Sequence, residues 1–494
     1  MRDYNPKDIS SIFQFSGKLL RHTLAQVVPL IDPSISKNDL IWKGKGGINS
    51  MVEKFFFGYD PNPSKEPDFK EAKLELKVTP LKKKKDQSLA IKERLVCDII
   101  NYIEVIHEEF EESVFFRKSA LMLILFYLHL KGTALRDLEF LYSVLWEIKG
   151  KDLLIIKQDF LFIQNKIKEG KAHLLSEGDT VYLGACRKGQ KGDKLRRQPN
   201  STILAPNRAF SLKPAYMRTI LDFVRAQKSN MATNTNIGLE EGPELVSLEE
   251  LKHRGFEQII RDRFVPYIGK DYKEIAHLLN IKVSPTCKSK NAVVANRILT
   301  QSETNYESFD EIKKSGIKLK TIRIEPNGRV KEDMSFENID YSEVNDTTNW
   351  EDSEWYNIIT TRYVFVIFRG VSSNDDHSSI RYLLDKMFFW TMPLRDYAEA
   401  KEYWDNIKLN VTNDTLLDAC TDSPSDKQNT FWKVRDHKHF HVRPKGKNKE
   451  DKTFSPKSGI KVPKKCYWFS KSYLEKEIKD TYGDSWESIF EQKN

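Results

Sequence analysis

Apolar and polar residues alternate from Lys73 to Thr79, Lys-Leu-Glu-Leu-Lys-Val-Thr, and this period of two predicts a strand. Successive strand side chains point to opposite faces, so Leu74, Leu76 and Val78 face a core while Glu75 and Lys77 share the other side. Helical periodicity marks residues 8–31, broken at Asp32-Pro33-Ser34, then Asn49–Phe57, then 159–178 with Gly178-Asp179 as its stop, and a last helix reaching Gln227. Lys92–Ile100 predicts another strand or a helix start. The apolar run Ala120–Leu130 predicts a buried strand or core helix and is too short to cross a bilayer. Ser229–Ser247, rich in Asn, Thr, Gly and Glu, predicts a linker between a domain spanning 1–228 and one spanning 248–494.

The second domain echoes the first in one ungapped register. Setting Asn296 against Glu53 and Lys318 against Glu75 needs the same shift of 243 residues, which also places Lys288 on Lys45, Glu311 on Asp68 and Lys320 on Lys77. Further on, Phe440–Asn448 stands where the first half has Leu183–Lys191, and Tyr467–Lys471 where it has Ala209–Lys213. The chain is therefore expected to be a duplication whose second copy has lost two acids.

Composition narrows the class. With 494 residues, 39% hydrophobic and 31% charged, the chain has material for two folded cores. A net charge of +9 suits a polyanionic partner. The five cysteines lack paired spacing, which excludes a disulfide framework and a zinc ribbon and points to a reducing cytoplasm. The N-terminus carries no apolar signal region, and no membrane partner is expected.

The chemistry gathers at Pro67-Asp68 and Glu75-Leu76-Lys77. Two carboxylates and the Leu76 backbone carbonyl supply the hard oxygen ligands that Mg²⁺ takes while keeping part of its hydration. Lys77 would orient or deprotonate an attacking water and stabilise charge building on phosphorus. Glu53, on the preceding helix, would complete the metal site or hold a water. An isolated Glu-x-Lys is as readily an exposed strand face with an ion pair; the glycines before the acid-bearing helix, Pro67 ahead of Asp68 and the flanking basic loops favour a site. Those loops carry Arg187, Lys188, Arg196 and Arg197 in the first half and Arg443, Lys445 and Lys447 in the second, shaped by Gly and Pro for nucleic-acid contact. His437, His439 and His441 alternate as a strand face, with no matching carboxylate or Cys to suggest a metal.

Lys45-Gly-Gly-Ile-Asn-Ser-Met-Val-Glu53, Pro67-Asp68 and Leu74-Glu-Leu-Lys77-Val-Thr-Pro80 closely resemble the active-site block of the mismatch-repair nuclease MutH and of related type II restriction endonucleases that cut GATC. Lys92-Glu-Arg-Leu-Val, Ala172–Gly178, Leu195–Pro199, Ala209–Lys213 and His441-Val-Arg-Pro444 look like the longer, two-lobed restriction enzymes, and the resemblance covers nearly the whole chain. It implies an α/β (α+β) fold of two tandem PD-(D/E)xK domains, each a mixed central sheet flanked by helices. It also implies Mg²⁺-dependent cleavage of double-stranded DNA ahead of the G of GATC, and no nucleotide cofactor. A cleavage-dead C-terminal lobe would bind a second GATC site and promote dimerisation on DNA, in a bacterial cytoplasm. Carried over by position, Asp68, Glu75 and Lys77 are the catalytic triad, Glu53 and Lys92 assist, and Asp68, Glu75 and Leu76 hold the metal. Lys45, Arg187, Lys188, Arg196, Arg197, Lys213, Arg443, Lys445 and Lys471 are the candidate DNA contacts. One departure stands out: the Arg-Pro-Lys of the base-reading loop is present at Arg443-Pro-Lys445, but the first half has Ala185-Cys-Arg-Lys188.

Two other readings compete. One is a MutH-like nicking nuclease recruited by repair proteins. The other is a DNA-binding regulator without enzymatic activity, in which Asp271–Leu279 and the following helix form a helix-turn-helix.

Overall fold

The computed structural model describes residues 2–42, 47–61, 64–84, 86–189, 194–227, 235, 244–372, 380–417, 428–448 and 450–483. Most of the expected linker 229–247 lies outside them. Two compact units emerge: residues 1–256 together with 307–316, and residues 257–306 together with 317–494.

In the first unit the predicted strand is β1 (Glu75–Lys83), flanked by antiparallel β2 (Leu89–Ile91) and parallel β4 (Leu121–Leu128), with β5 (Phe140–Glu147) antiparallel at the far side. The apolar run resolves as strand β4 because a strand covered on both faces has no polar side to show. Leu74, Leu76, Leu123 and Leu125 pack beneath helices Ile9–Ser16, Leu24–Ile31 and the helical segment starting at Gly47. The predicted 8–31 helix is thus two, the second started by the Thr23 capping box. A second sheet runs in the order β3 (Leu95–Ile99), β9 (Arg208–Leu212), β6 (Leu183–Arg187), and β7 (Arg196–Gln198) with β8 (Ser201–Ala205) forms a ribbon. Helix Pro214–Ala226 follows β9 as expected.

The helix expected over 159–178 instead spans Gly150–Lys168. It stops where Gly170 takes φ +71°, and a Cβ there would meet the Asn200 carbonyl oxygen at 2.5 Å. The following residues form short 3-10 turns at Ala172–Leu174 and Glu177–Asp179.

The second unit repeats this order. β10 (Lys318–Ile324) pairs in parallel with β12 (Tyr363–Ser372), which pairs antiparallel with β13 (Ile380–Trp390). β11 (Met334–Asn338), β17 (Lys465–Phe469) and β14 (Phe440–Pro444) form the second sheet, and β15 (Lys452–Phe454) with β16 (Lys461–Pro463) the ribbon. Its core centres on the fully buried Trp355, whose indole N–H donates to the Ala400 carbonyl at 2.8 Å. The fold is therefore mixed α/β with two copies of one architecture.

Candidate active site

Glu75 opens β1 with its side chain 4% exposed, and Lys77 shares its face at 13%. This is a buried pair and not an exposed strand face: Lys77 Nζ donates to Glu75 Oε1 at 2.8 Å and to the Cys97 carbonyl of β3 at 3.1 Å. Asp68 is fixed by two backbone donors of opposite sense. The Leu76 N–H donates to Asp68 Oδ2 at 2.9 Å, and the Asp68 N–H donates to Glu75 Oε2 at 3.2 Å. Buried Glu53 lies where helix Gly47–Met51 widens into a π-helical turn, Val52–Phe57, and accepts a short bond from the Asn49 amide. The Glu53 carbonyl receives the N–H groups of Gly58 and Tyr59, so the widened turn is closed by Gly58 at φ +88°.

The three acids oppose one another. Burial, then the charges of Asp68 and Glu75, pushes the Glu53 carboxyl up to about 7. Burial and the Glu75 charge push Asp68 up to about 6, against the lowering effect of the Leu76 N–H. For Lys77, burial alone would lower the ammonium, but the charge and hydrogen bond of Glu75 together with Cys97 and Asp68 outweigh it and the pKa is raised. Excess buried negative charge of this kind fits a hard divalent cation. The Tyr59 hydroxyl points the same way: it is buried, has no hydrogen-bond partner among the described residues, and is held well above its usual range by burial and by Asp68 and Glu53. As they stand, no three His, Cys, Asp or Glu among the described residues group closely enough to enclose a metal, so Asp68, Glu75 and the Leu76 carbonyl would have to be completed by water.

Sequence reasoning missed Lys118. It lies at the end of helix Val114–Ser119, its ammonium 3.5 Å from Glu75 Oε1 and 3.3 Å from the Ser64 carbonyl it donates to. The signal was the apolar run after it: β4 pairs in parallel with β1, Met122 opposite Glu75, so a residue just ahead of β4 arrives at the carboxylate end of β1. A cleft of about 330 Å³, lined by Lys118, Asp98, Asn101 and Phe210 among others, adjoins this end. No described contact links Lys92 to the carboxylates; its N–H donates to the Pro80 carbonyl and its charge acts on His129.

The candidate DNA contacts fall into three groups. Arg187 ends β6 and Arg196 and Arg197 lie exposed on β7, on either side of the loop holding Lys188, whose N–H donates to the Asn207 carbonyl. Lys213 is buried, its ammonium donating to the Thr180 carbonyl beside Asp159. In the second unit Arg443 is ion-paired with Asp333 over the Trp468 ring, the Lys471 N–H donates to Asp333 Oδ1 at 2.7 Å, and Lys445 reaches Ser335 and Phe336. Lys45 lies outside the described residues.

The architecture and the buried acid–lysine constellation define a MutH-type nuclease, and comparison with known proteins agrees. The family described as DNA mismatch repair enzyme MutH matches the chain twice, at residues 57–159 and 300–402. Over 471 residues the chain is 32% identical to the type II restriction enzyme Sau3AI of Staphylococcus aureus, covering 92% of this chain and 91% of that one. The chain belongs to this family of MutH-like type II restriction endonucleases, and its activity is that of a site-specific deoxyribonuclease. The two matches are offset by the same 243 residues as Glu75 and Lys318, and the helical segment from Gly47 through Phe57 maps onto helix Lys290–Thr300 in that register.

These findings overturn the non-enzymatic regulator. Helix Tyr272–Leu278 and helix Lys290–Thr300 are separated by residues 279–289, far longer than a helix-turn-helix turn, and the second of them is the counterpart of the Glu53 helix. No helix among the described residues is long and apolar enough to cross a membrane.

Proposed function

We propose that this protein recognises GATC in double-stranded DNA and cleaves the phosphodiester bond ahead of the G, hydrolysing both strands with Mg²⁺ as cofactor. The observation that carries this reading is the buried Asp68–Glu75–Lys77 constellation, with its surplus of negative charge beside an adjoining cleft. Asp68, Glu75 and the Leu76 carbonyl would hold the cation, which supplies Lewis acidity at the phosphoryl oxygen and a more acidic water. Glu75 holds Lys77 in one rotamer, and Lys77 presents a fixed donor to the attacking water and to the phosphoryl oxygen as charge accumulates there. Water oxygen bonds to phosphorus as the bond to the leaving ester oxygen breaks; the proton lost from water goes to the surrounding carboxylates, and the departing oxygen takes a proton from solvent to leave as a hydroxyl. Lys118 neutralises Glu75 from the other side. Glu53, held near neutrality in its protonation, takes part in that proton traffic.

The second unit is read as a DNA-binding effector lobe that binds its own GATC site and promotes dimerisation on DNA, without cleaving. Lysine at 318 and asparagine at 296 stand at the places of Glu75 and Glu53, which puts a fixed positive charge where a proposed ligand would be and removes the acid beside it. Incubating purified protein with Mg²⁺ and plasmid carrying GATC sites should give breaks in both strands at GATC. Glu75→Ala should lower the rate at least 10³-fold while leaving duplex binding in EDTA intact. Mg²⁺-dependent cutting by that variant would assign chemistry to the second unit, and single-strand nicks alone would favour the repair-type nicking enzyme.

A further inference from the structure

The second unit keeps the shape of the site and inverts its charge. β10 presents Lys318 and Lys320 on one face, as β1 presents Glu75 and Lys77. The Leu319 N–H donates to the Tyr306 hydroxyl at 3.3 Å, whereas its counterpart Leu76 donates to a carboxylate. Lys320 Nζ donates to the Ser335 carbonyl at 3.0 Å and lies 4.9 Å from the Phe336 ring centre. Lys445 comes to the same two residues from β14's end, donating to the Ser335 hydroxyl at 3.2 Å and the Phe336 carbonyl at 3.0 Å. Strand register makes Lys445 the counterpart of Lys188, because Phe440 opposes Phe469 as Leu183 opposes Leu212.

We propose that Lys318, Lys320 and Lys445 form a metal-independent site for a backbone phosphate of double-stranded DNA. Where the first unit needs a cation before its acids can tolerate a phosphate, these ammonium groups carry the positive charge covalently. Burial first, then the repulsion of Lys445 and Lys318, holds the Lys320 ammonium below its usual range, and exposed Glu337 is the carboxylate that acts against this. A phosphodiester, with two charged acceptor oxygens and no proton to give, relieves that repulsion. This inference rests on the reading of the second unit as a DNA-binding lobe and adds the atoms that do the binding.

The test uses the full chain carrying Glu75→Ala, in EDTA, titrated with a fluorescent duplex containing one GATC. Two duplexes bound per chain are expected. Adding Lys320→Gln and Lys445→Gln should weaken the second duplex at least tenfold and flatten the slope of log affinity against log salt by about 1–2, whereas Lys273→Gln with Lys282→Gln should not. If the lysine pair can be removed with the second duplex and its salt slope unchanged, the phosphate site is wrong while the lobe reading stands. If only one duplex binds to begin with, the lobe reading itself fails. Should the variants misfold, amine acetylation of the Glu75→Ala chain gives a second measurement. Lys318 and Lys445 should be protected by duplex in EDTA, and protection that requires Mg²⁺, or that inorganic phosphate supplies equally well, overturns the proposal.

Discussion

Lys77 and Lys320 occupy the same place on equivalent strands, yet their ammonium groups are pushed in opposite directions. Burial lowers both; around Lys77 the charge and hydrogen bond of Glu75, with Cys97 and Asp68, outweigh it, whereas around Lys320 the charge of Glu337 does not, and Lys445 and Lys318 add to the lowering. The same logic makes Asp68 costly without a cation. Its carboxyl titrates near 6 in the fold, above the ordinary 3.8, so its contribution favours the folded protein below about pH 4 and is lost as pH rises through 6. Asp68→Asn keeps an acceptor for the Leu76 N–H and removes the charge. Calorimetry in EDTA should find its Tm about 2–4 °C above the parent at pH 8, with no gain at pH 4. Lys118→Ala should slow cleavage by about 10²-fold, with a smaller change in duplex affinity, since it sits against Glu75 and not on the exposed basic loops; steady-state cleavage beside EDTA binding separates the two.

At the scale of elements, the strand carrying Glu75 and Lys77 was plain from its alternation because Leu74, Leu76 and Val78 give it one apolar face. Its parallel partner was legible only as an apolar run, strand or helix, since a strand buried on both faces has lost the period that identifies it. Lys118 was hidden for the same reason: only the register of β4 on β1 brings it to Glu75. Register also corrects the aligned echo at the end of each unit. Pairing sets Phe469 against Leu212 and so Ser470 against Lys213, one residue away from the sequence alignment that matched Lys471 to Lys213. Both positions are the N-caps of the closing helices, and Ser470 caps with its hydroxyl while Lys213 turns inward. The helix misplaced at 159–178 ends at Gly170, whose backbone must pass close to Asn200. Gly170→Ala should therefore cost about 1–3 kcal/mol in urea denaturation, through both its positive φ and its contact.

Across the whole molecule, the duplication is unequal in how the chain is shared. Glu311 stands where the second copy would have its Asp68, but it belongs to the first unit, buried against Lys151 at 2.8 Å and accepting the Leu245 N–H at 2.9 Å. Lys314 makes a second buried pair nearby, with Asp152. The acid aligned with Asp68 has become a structural partner in the first unit, so topology as well as substitution takes the second copy away from the proposed ligand set. Glu311→Ala removes the nearer carboxylate of buried Lys151, leaving Glu244 at 3.8 Å, and should destabilise the first unit by about 3 kcal/mol although it lies in the second half of the sequence. Denaturation followed by proteolysis at sites within residues 1–256 reads that loss directly.

The sequence by itself determined the duplication and the alternating strand that carries Glu75 and Lys77, and it singled out Asp68 beside them, because these rest on local period and on residue types whose chemistry is intrinsic. The tertiary structure decided what pairs with what: that Lys118 joins Lys77 at Glu75, that Lys213 is buried, and that Glu311 serves the first unit. Such assignments depend on strand register and on which segments pack together over long separations, and burial then sets the charge state of every acid in the site.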